Sequence, residues 1–146
     1  DILGYKNQIL KSNTSVAIGM RFYEETLNAS KNHEVQMDTY YIQAMEVIEK
    51  TVYLPKYFVF STDIERAKKI LNKFENKNII YIDPIKSKVE AKYDLYLMSL
   101  CKNFIISNGT FYWWAAYLGE NKNSVIVSPK KGFINSDAIP PNWIKL

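Results

Sequence analysis

Apolar residues along the chain fall into short continuous runs, separated by stretches in which they recur at three- and four-residue spacing. The first run, Ser15-Val16-Ala17-Ile18-Gly19-Met20, is bounded by polar residues and reads as a buried strand. Ahead of it, Ile2, Leu3, Ile9 and Leu10 mark a short amphipathic helix between Asp1 and Asn13. Residues 22–34 read as loop. From Asp38, a good N-cap, the spacing of Tyr41, Ala44, Met45 and Ile48 predicts a helix.

Tyr57-Phe58-Val59-Phe60 is a second strand, stopped by Ser61-Thr62-Asp63. Thr62 or Asp63 can cap the next helix, whose Ile64, Ala67, Ile70 and Leu71 share one face. Asn78 to Ile82 is a third strand before the turn Asp83-Pro84. A helix from Ala91 to Cys101 leads into a fourth strand, Phe104-Ile105-Ile106. A helix from Thr110 to Leu118 leads into a fifth, Ser124-Val125-Ile126-Val127. Pro129, Pro140 and Pro141 make the tail mostly irregular.

Short, continuously apolar strands that alternate with helices predict an α/β fold: a Rossmann-like parallel sheet covered by helices on both faces. In such sheets ligands bind beyond the carboxyl ends of the strands. No repeat, low-complexity tract or linker interrupts the pattern, so residues 1–146 read as one domain.

Composition changes this picture little. Hydrophobic residues make up 47% and charged residues 23%, ordinary for a soluble globular domain. A net charge of +4 suits a small anionic ligand but is too dispersed for a nucleic-acid partner. The single cysteine, Cys101, falls in an apolar run and reads as a buried, inert thiol. One histidine, His33, and no cysteine cluster argue against a protein-built metal site. No signal peptide or membrane-spanning run is visible, which makes a cytoplasmic location the default. A start at Asp1, without methionine, suggests a fragment of a longer protein.

Candidate chemistry lies just after each strand. Gly19-Met20-Arg21-Phe22-Tyr23-Glu24 follows the first, Ser61-Thr62-Asp63 the second, and Ser107-Asn108-Gly109-Thr110-Phe111 the fourth. The last of these opens a helix. Small residues, hydroxyl donors and the partial positive charge of a helix N-terminus together make a natural phosphate cradle. The same residues also suit an ordinary helix cap, and Arg21 alone also suits a surface ion pair. Trp113 and Trp114 can stack on a base or sugar, but packing the helix onto the sheet is the commoner use of such residues.

The stretch Asp94-Leu-Tyr-Leu-Met-Ser-Leu-Cys-Lys-Asn-Phe-Ile-Ile-Ser-Asn-Gly-Thr-Phe-Tyr-Trp-Trp-Ala-Ala-Tyr-Leu118 resembles the α-1,2-fucosyltransferases, glycosyltransferase family 11. The family pattern is Asp-Leu-x-Leu-Met-Ser-x-Cys leading into Ile-Ile-x-Asn-Ser-[Ser/Thr]-[Phe/Tyr]-Ser-Trp-Trp. Tyr40-Tyr-Ile-Gln-Ala, Phe58-Val-Phe-Ser-Thr-Asp63, Val125-Ile-Val-Ser-Pro-Lys-Lys131 and Pro141-Asn-Trp143 extend the likeness over nearly the whole chain. The family's first motif, His-x-Arg-Arg-x-Asp, corresponds to Gly19-Met20-Arg21-Phe22-Tyr23-Glu24. One arginine and an acid are kept; the histidine and the second arginine are not.

The resemblance implies a two-domain GT-B enzyme that uses GDP-fucose, inverts the anomeric centre and needs no metal. Its C-terminal half would hold the donor, and only that half would be present here, without the N-terminal acceptor domain. By the same resemblance Arg21 is the catalytic residue, pairing with the β-phosphate and stabilising the departing GDP. Ser107, Asn108, Thr110 and the amide of Phe111 would cradle the phosphates. Asp94 would accept from guanine N1 and N2, or else cap its helix. Ser61 and Asp63 would lie near the ribose or base, and Glu24 would orient Arg21. Implied partners are a nucleotide-sugar donor and a glycan or lipid-linked oligosaccharide acceptor, with peripheral membrane association of the full-length protein. Two alternatives stay open: a non-catalytic GDP-sugar-binding module, and a transferase for another GDP-sugar such as GDP-mannose.

Overall fold

A computed structural model describes residues 2–22, 38–82, 91–132 and 135–146. Among them lie β1 (Ser15–Met20), β2 (Lys56–Ser61), β3 (Asn78–Tyr81), β4 (Asn103–Ile105), β5 (Ile126–Ser128) and β6 (Ile144–Lys145). The helices are α1 (Ile2–Leu10), α2 (Asp38–Thr51), α3 (Ile64–Ile70), α4 (Ala91–Ser99) and α5 (Thr110–Gly119). The strands form one sheet in the order β3-β2-β1-β4-β5-β6, and every pairing is parallel. This is the doubly wound arrangement expected from the alternation of elements.

β1 occupies the middle of the sheet, and all six of its residues are buried. Its alternation divides the core. Val16, Ile18 and Met20 face a cluster with Tyr40, Tyr41, Met45 and Ile48 of α2 and with Ala67 and Ile70 of α3. Ala17 faces the other cluster, with Ile9 of α1, Leu97 and Met98 of α4, and Tyr112, Ala115 and Ala116 of α5. Small residues at 17 and 19 let the second helical layer approach closely.

Local chemistry fixes the helix ends. Asp63 caps α3, its carboxylate accepting from the Arg66 N–H at 2.9 Å. Asp38 is the first residue of α2. α4 stops at Ser99, two residues short of the expected Cys101. There the Leu100 and Cys101 N–H groups bond back three residues, to Leu97 and Met98, tightening the last turn. Cys101 is buried as expected, and burial pushes its thiol up to about 12.

The tail is mostly irregular as expected, with one addition. Ile144 and Lys145 pair in parallel with Val127 and Ser128, so the segment after the prolines adds a short edge strand that the sequence pattern did not predict. A two-residue strand carries no periodicity for a sequence pattern to reveal. The turn Asp83-Pro84 and residues 23–34 of the expected loop lie outside the described residues. Among the described residues no helix is long and apolar enough to cross a membrane.

Candidate functional site

The sheet reverses its winding between β1 and β4, where connections leave in opposite directions and open a crevice at the carboxyl ends. β4 pairs with β1 as Val16 with Asn103, Ala17 with Phe104 and Ile18 with Ile105. Carrying that register onward sets Ser107 level with Met20, one residue before Arg21. The retained arginine and the candidate phosphate turn therefore flank one crevice.

The turn after β4 is held from several sides. Tyr40, from α2, donates its hydroxyl to the Ile106 carbonyl and, at 3.3 Å, to the Val127 carbonyl. Burial holds that phenol well above its usual pKa, so it remains a donor. Sequence reasoning missed this supporting role; Tyr40 stood only within a matching segment. Next, the Asn108 amide donates to the Gly132 carbonyl at 3.4 Å. Gly132 has φ +97°, and a Cβ there would meet Asn108 Nδ2 at 2.5 Å, so only glycine fits against the turn. Lys130 and Lys131 precede it, adding positive charge to the same edge.

Ser107 is fully buried, and its hydroxyl has no hydrogen-bond partner among the described residues. A buried hydroxyl left unmet costs about 1–3 kcal/mol, and such groups are rare away from functional sites. The N-cap of α5 is Gly109, in extended conformation and with no side-chain capping bond. Thr110 is exposed at the first position of α5, and Phe111 follows at 36% exposure. The opening N–H groups of a helix have no acceptor within it, so they remain available to an anion.

Asp94 sits inside the first turn of α4, three residues past its start, with Oδ1 buried. It is thus not an N-cap. Helix α4 packs on α5. Ser61 and Asp63 lie at the end of β2, on the carboxyl edge of the sheet, with local hydrogen bonds. The Ser61 hydroxyl accepts from the Asp63 N–H and donates to the Asp63 carbonyl, both at 3.1 Å. Glu24 and His33 lie outside the described residues.

The altered first motif is accounted for by packing at Gly19. A Cβ on that residue would meet Tyr112 Cδ1 at 2.3 Å and two more ring atoms at 2.8 Å. Tyr112 is 6% exposed, so its ring has little room to yield. The volume that a larger side chain at 19 would need is taken by an aromatic from α5.

The tryptophans divide. Trp113 packs as expected: its ring stacks on Tyr117 at 4.9 Å and its Nε1 donates to the Ala138 carbonyl at 2.9 Å. Trp114 is 49% exposed and does not serve the core, which corrects the packing expectation for that residue. A cavity of 270 Å³ lies beside β3, lined by Lys68, Leu71 and Tyr81 among others, and collects none of the site residues. Among the described residues no three histidine, cysteine, aspartate or glutamate side chains are grouped to hold a metal.

With this geometry in view, the model of glycosyl transferase family 11 matches residues 6–146. The chain belongs to glycosyl transferase family 11. Among its curated relatives is the O-antigen biosynthesis glycosyltransferase WbnK of Escherichia coli, 34% identical over 100% of this chain and 49% of its own length. An alpha-1,2-colitosyltransferase of Escherichia coli is 28% identical over 96% of this chain and 50% of its own length. The chain spans about half the length of the curated relatives it matches. In this family 11 chain the crevice between β1 and β4 is flanked by Arg21 on one side and Ser107 on the other.

Proposed function

We propose that the chain is the donor-binding half of a GT-B glycosyltransferase that transfers fucose from GDP-fucose, with inversion and without a metal. The observation that carries the reading is the buried Ser107 hydroxyl at the switch point, without a partner among the described residues and level with the strand end that bears Arg21. A buried hydroxyl that no described residue meets calls for an explanation, and a bound ligand supplies one. Family membership supplies the chemistry that such a ligand would undergo.

In this reading Ser107, Asn108, Thr110 and the Phe111 amide hold the diphosphate, and Asp94 accepts from guanine N1 and N2. An acceptor hydroxyl attacks the anomeric carbon from the face opposite the phosphate. The carbon–oxygen bond to the β-phosphate breaks, and GDP leaves with added negative charge. Arg21 stabilises that charge through a charge-assisted pair, the service a metal gives elsewhere. The acceptor is a glycan or lipid-linked oligosaccharide, in keeping with an O-antigen relative. Its site and the base that takes its proton belong to the remainder of the enzyme.

A second reading keeps the site and changes the sugar, since one relative is named for colitosyl transfer. Competition between GDP-fucose and other GDP-sugars for the intact protein separates the two. For the site itself, Arg21→Ala should weaken GDP binding at least about a hundredfold, the loss of a charge-assisted diphosphate pair. Binding within about twofold of wild type, a few tenths of a kcal/mol, would remove Arg21 from the role.

A further inference from the structure

Phe22 stands where the family's first motif has its second arginine, and it is 1% exposed. Over its ring lies the guanidinium of Arg66, with Cζ 4.1 Å from the centroid. Arg66 belongs to the first turn of α3, and its backbone N–H is held by the Asp63 carboxylate. β2 pairs with β1 up to the last residue of each, Met20 against Ser61, so the helix that follows β2 starts beside the end of β1. A guanidinium therefore sits above the strand end at which the motif has one, but α3 delivers it.

The stacking has a chemical consequence. A ring against the face of a guanidinium fixes its plane and directs the in-plane N–H donors to the sides, the fork geometry that phosphate oxygens accept. Phe22 in this arrangement is a platform for a cation, whereas an arginine at 22 would be the cation.

We propose that Arg66 is a phosphate-binding residue of the donor site, replacing the missing second arginine and pairing with the diphosphate of a nucleoside diphosphate sugar alongside Arg21. The assignment rests on the nucleotide-sugar reading above. It also explains how the chain can carry phenylalanine in its first motif and still meet a diphosphate of growing negative charge with two guanidinium ions.

The test is calorimetric titration of the intact protein and its variants with GDP and with GMP. Arg66→Gln should weaken GDP by about tenfold or more and GMP by about threefold or less, because the ion pair is made mainly to the β-phosphate. Arg66→Lys should fall between, keeping charge but losing the fork. The exchanged pair Phe22→Arg with Arg66→Phe should regain most of the GDP affinity. If that pair does not fold, the GDP-to-GMP comparison in Arg66→Gln still decides.

Arg66→Gln that binds GDP within about twofold of wild type, while Arg21→Ala loses it, would overturn the role of Arg66 alone. So would equal losses for GDP and GMP, which mark a general disturbance of the fold. Wild-type protein that binds neither nucleotide would overturn the nucleotide reading, and the assignment of Arg66 with it.

Discussion

The two lips of the crevice contrast in what their residues lack. At the end of β4 the family pattern is largely kept, and a buried hydroxyl at Ser107 is left without a partner inside the described protein. At the end of β1 the motif is altered at Gly19 and Phe22, and each altered residue meets a close neighbour: the Tyr112 ring at one, the Arg66 guanidinium at the other. A buried polar group that the described fold leaves unmet is open to a ligand. A changed residue with a fitted neighbour shows that the change has been absorbed by packing.

Gly19→Ala tests the packed lip most severely. Forcing a methyl into the Tyr112 ring should cost about 2–3 kcal/mol, read by denaturant unfolding. Tyr112→Ser removes the obstacle, so the double variant should be more stable than the sum of the singles by about 1 kcal/mol or more. Strict additivity would mean that the two residues do not compete for one volume, and the contrast would lose its packed side.

Tyr40→Phe probes the support beneath the other lip. Removing the hydroxyl leaves the Ile106 and Val127 carbonyls short of a buried donor, at about 1–2 kcal/mol. GDP affinity should fall as well, because Ser107 follows Ile106 directly. A stability loss with unchanged GDP affinity would show that the turn does not depend on this bond.

Ser107→Ala should separate stability from binding. Removing an unmet buried hydroxyl should leave stability unchanged or raise it by up to about 1 kcal/mol, while GDP affinity falls by about five- to tenfold. A clear destabilisation would mean that the hydroxyl serves the fold, and the two lips would then be alike.

The smallest expected effect is in pH dependence. Burial raises the folded-state pKa of Cys101, Tyr40 and Tyr57 above their unfolded values. The folded protein then holds protons that the unfolded chain releases, so these groups leave stability intact below about pH 9 and erode it as pH rises further. For the same reason iodoacetamide at pH 8 should alkylate native Cys101 more than about a hundredfold more slowly than an unfolded thiol. Fast alkylation of native protein would contradict the burial assigned to it.

Much of this was legible in sequence because the strands are continuous apolar runs buried on both faces. β1 is the clearest case, its expected and observed ends coinciding at Ser15 and Met20. The switch-point residues followed from the fold class, since parallel sheets bring strand ends together whatever the side chains are. What escaped was non-local. Tyr40 acts on a carbonyl 66 residues away, the Gly19–Tyr112 contact joins β1 to α5, and Arg66 meets Phe22 only through the β1–β2 register. None of these leaves a local pattern. The exposure of Trp114 escaped for a related reason: two adjacent tryptophans on a helix point about 100° apart, so both cannot face the sheet.

The most direct measurement is calorimetric titration of the protein with GDP, GDP-fucose and UDP, with and without EDTA. Both guanine compounds should bind, UDP should not, and EDTA should change nothing. UDP binding as well as GDP, or wild-type protein that binds none of the three, would contradict the assignment of the crevice between β1 and β4 to a guanine nucleotide sugar.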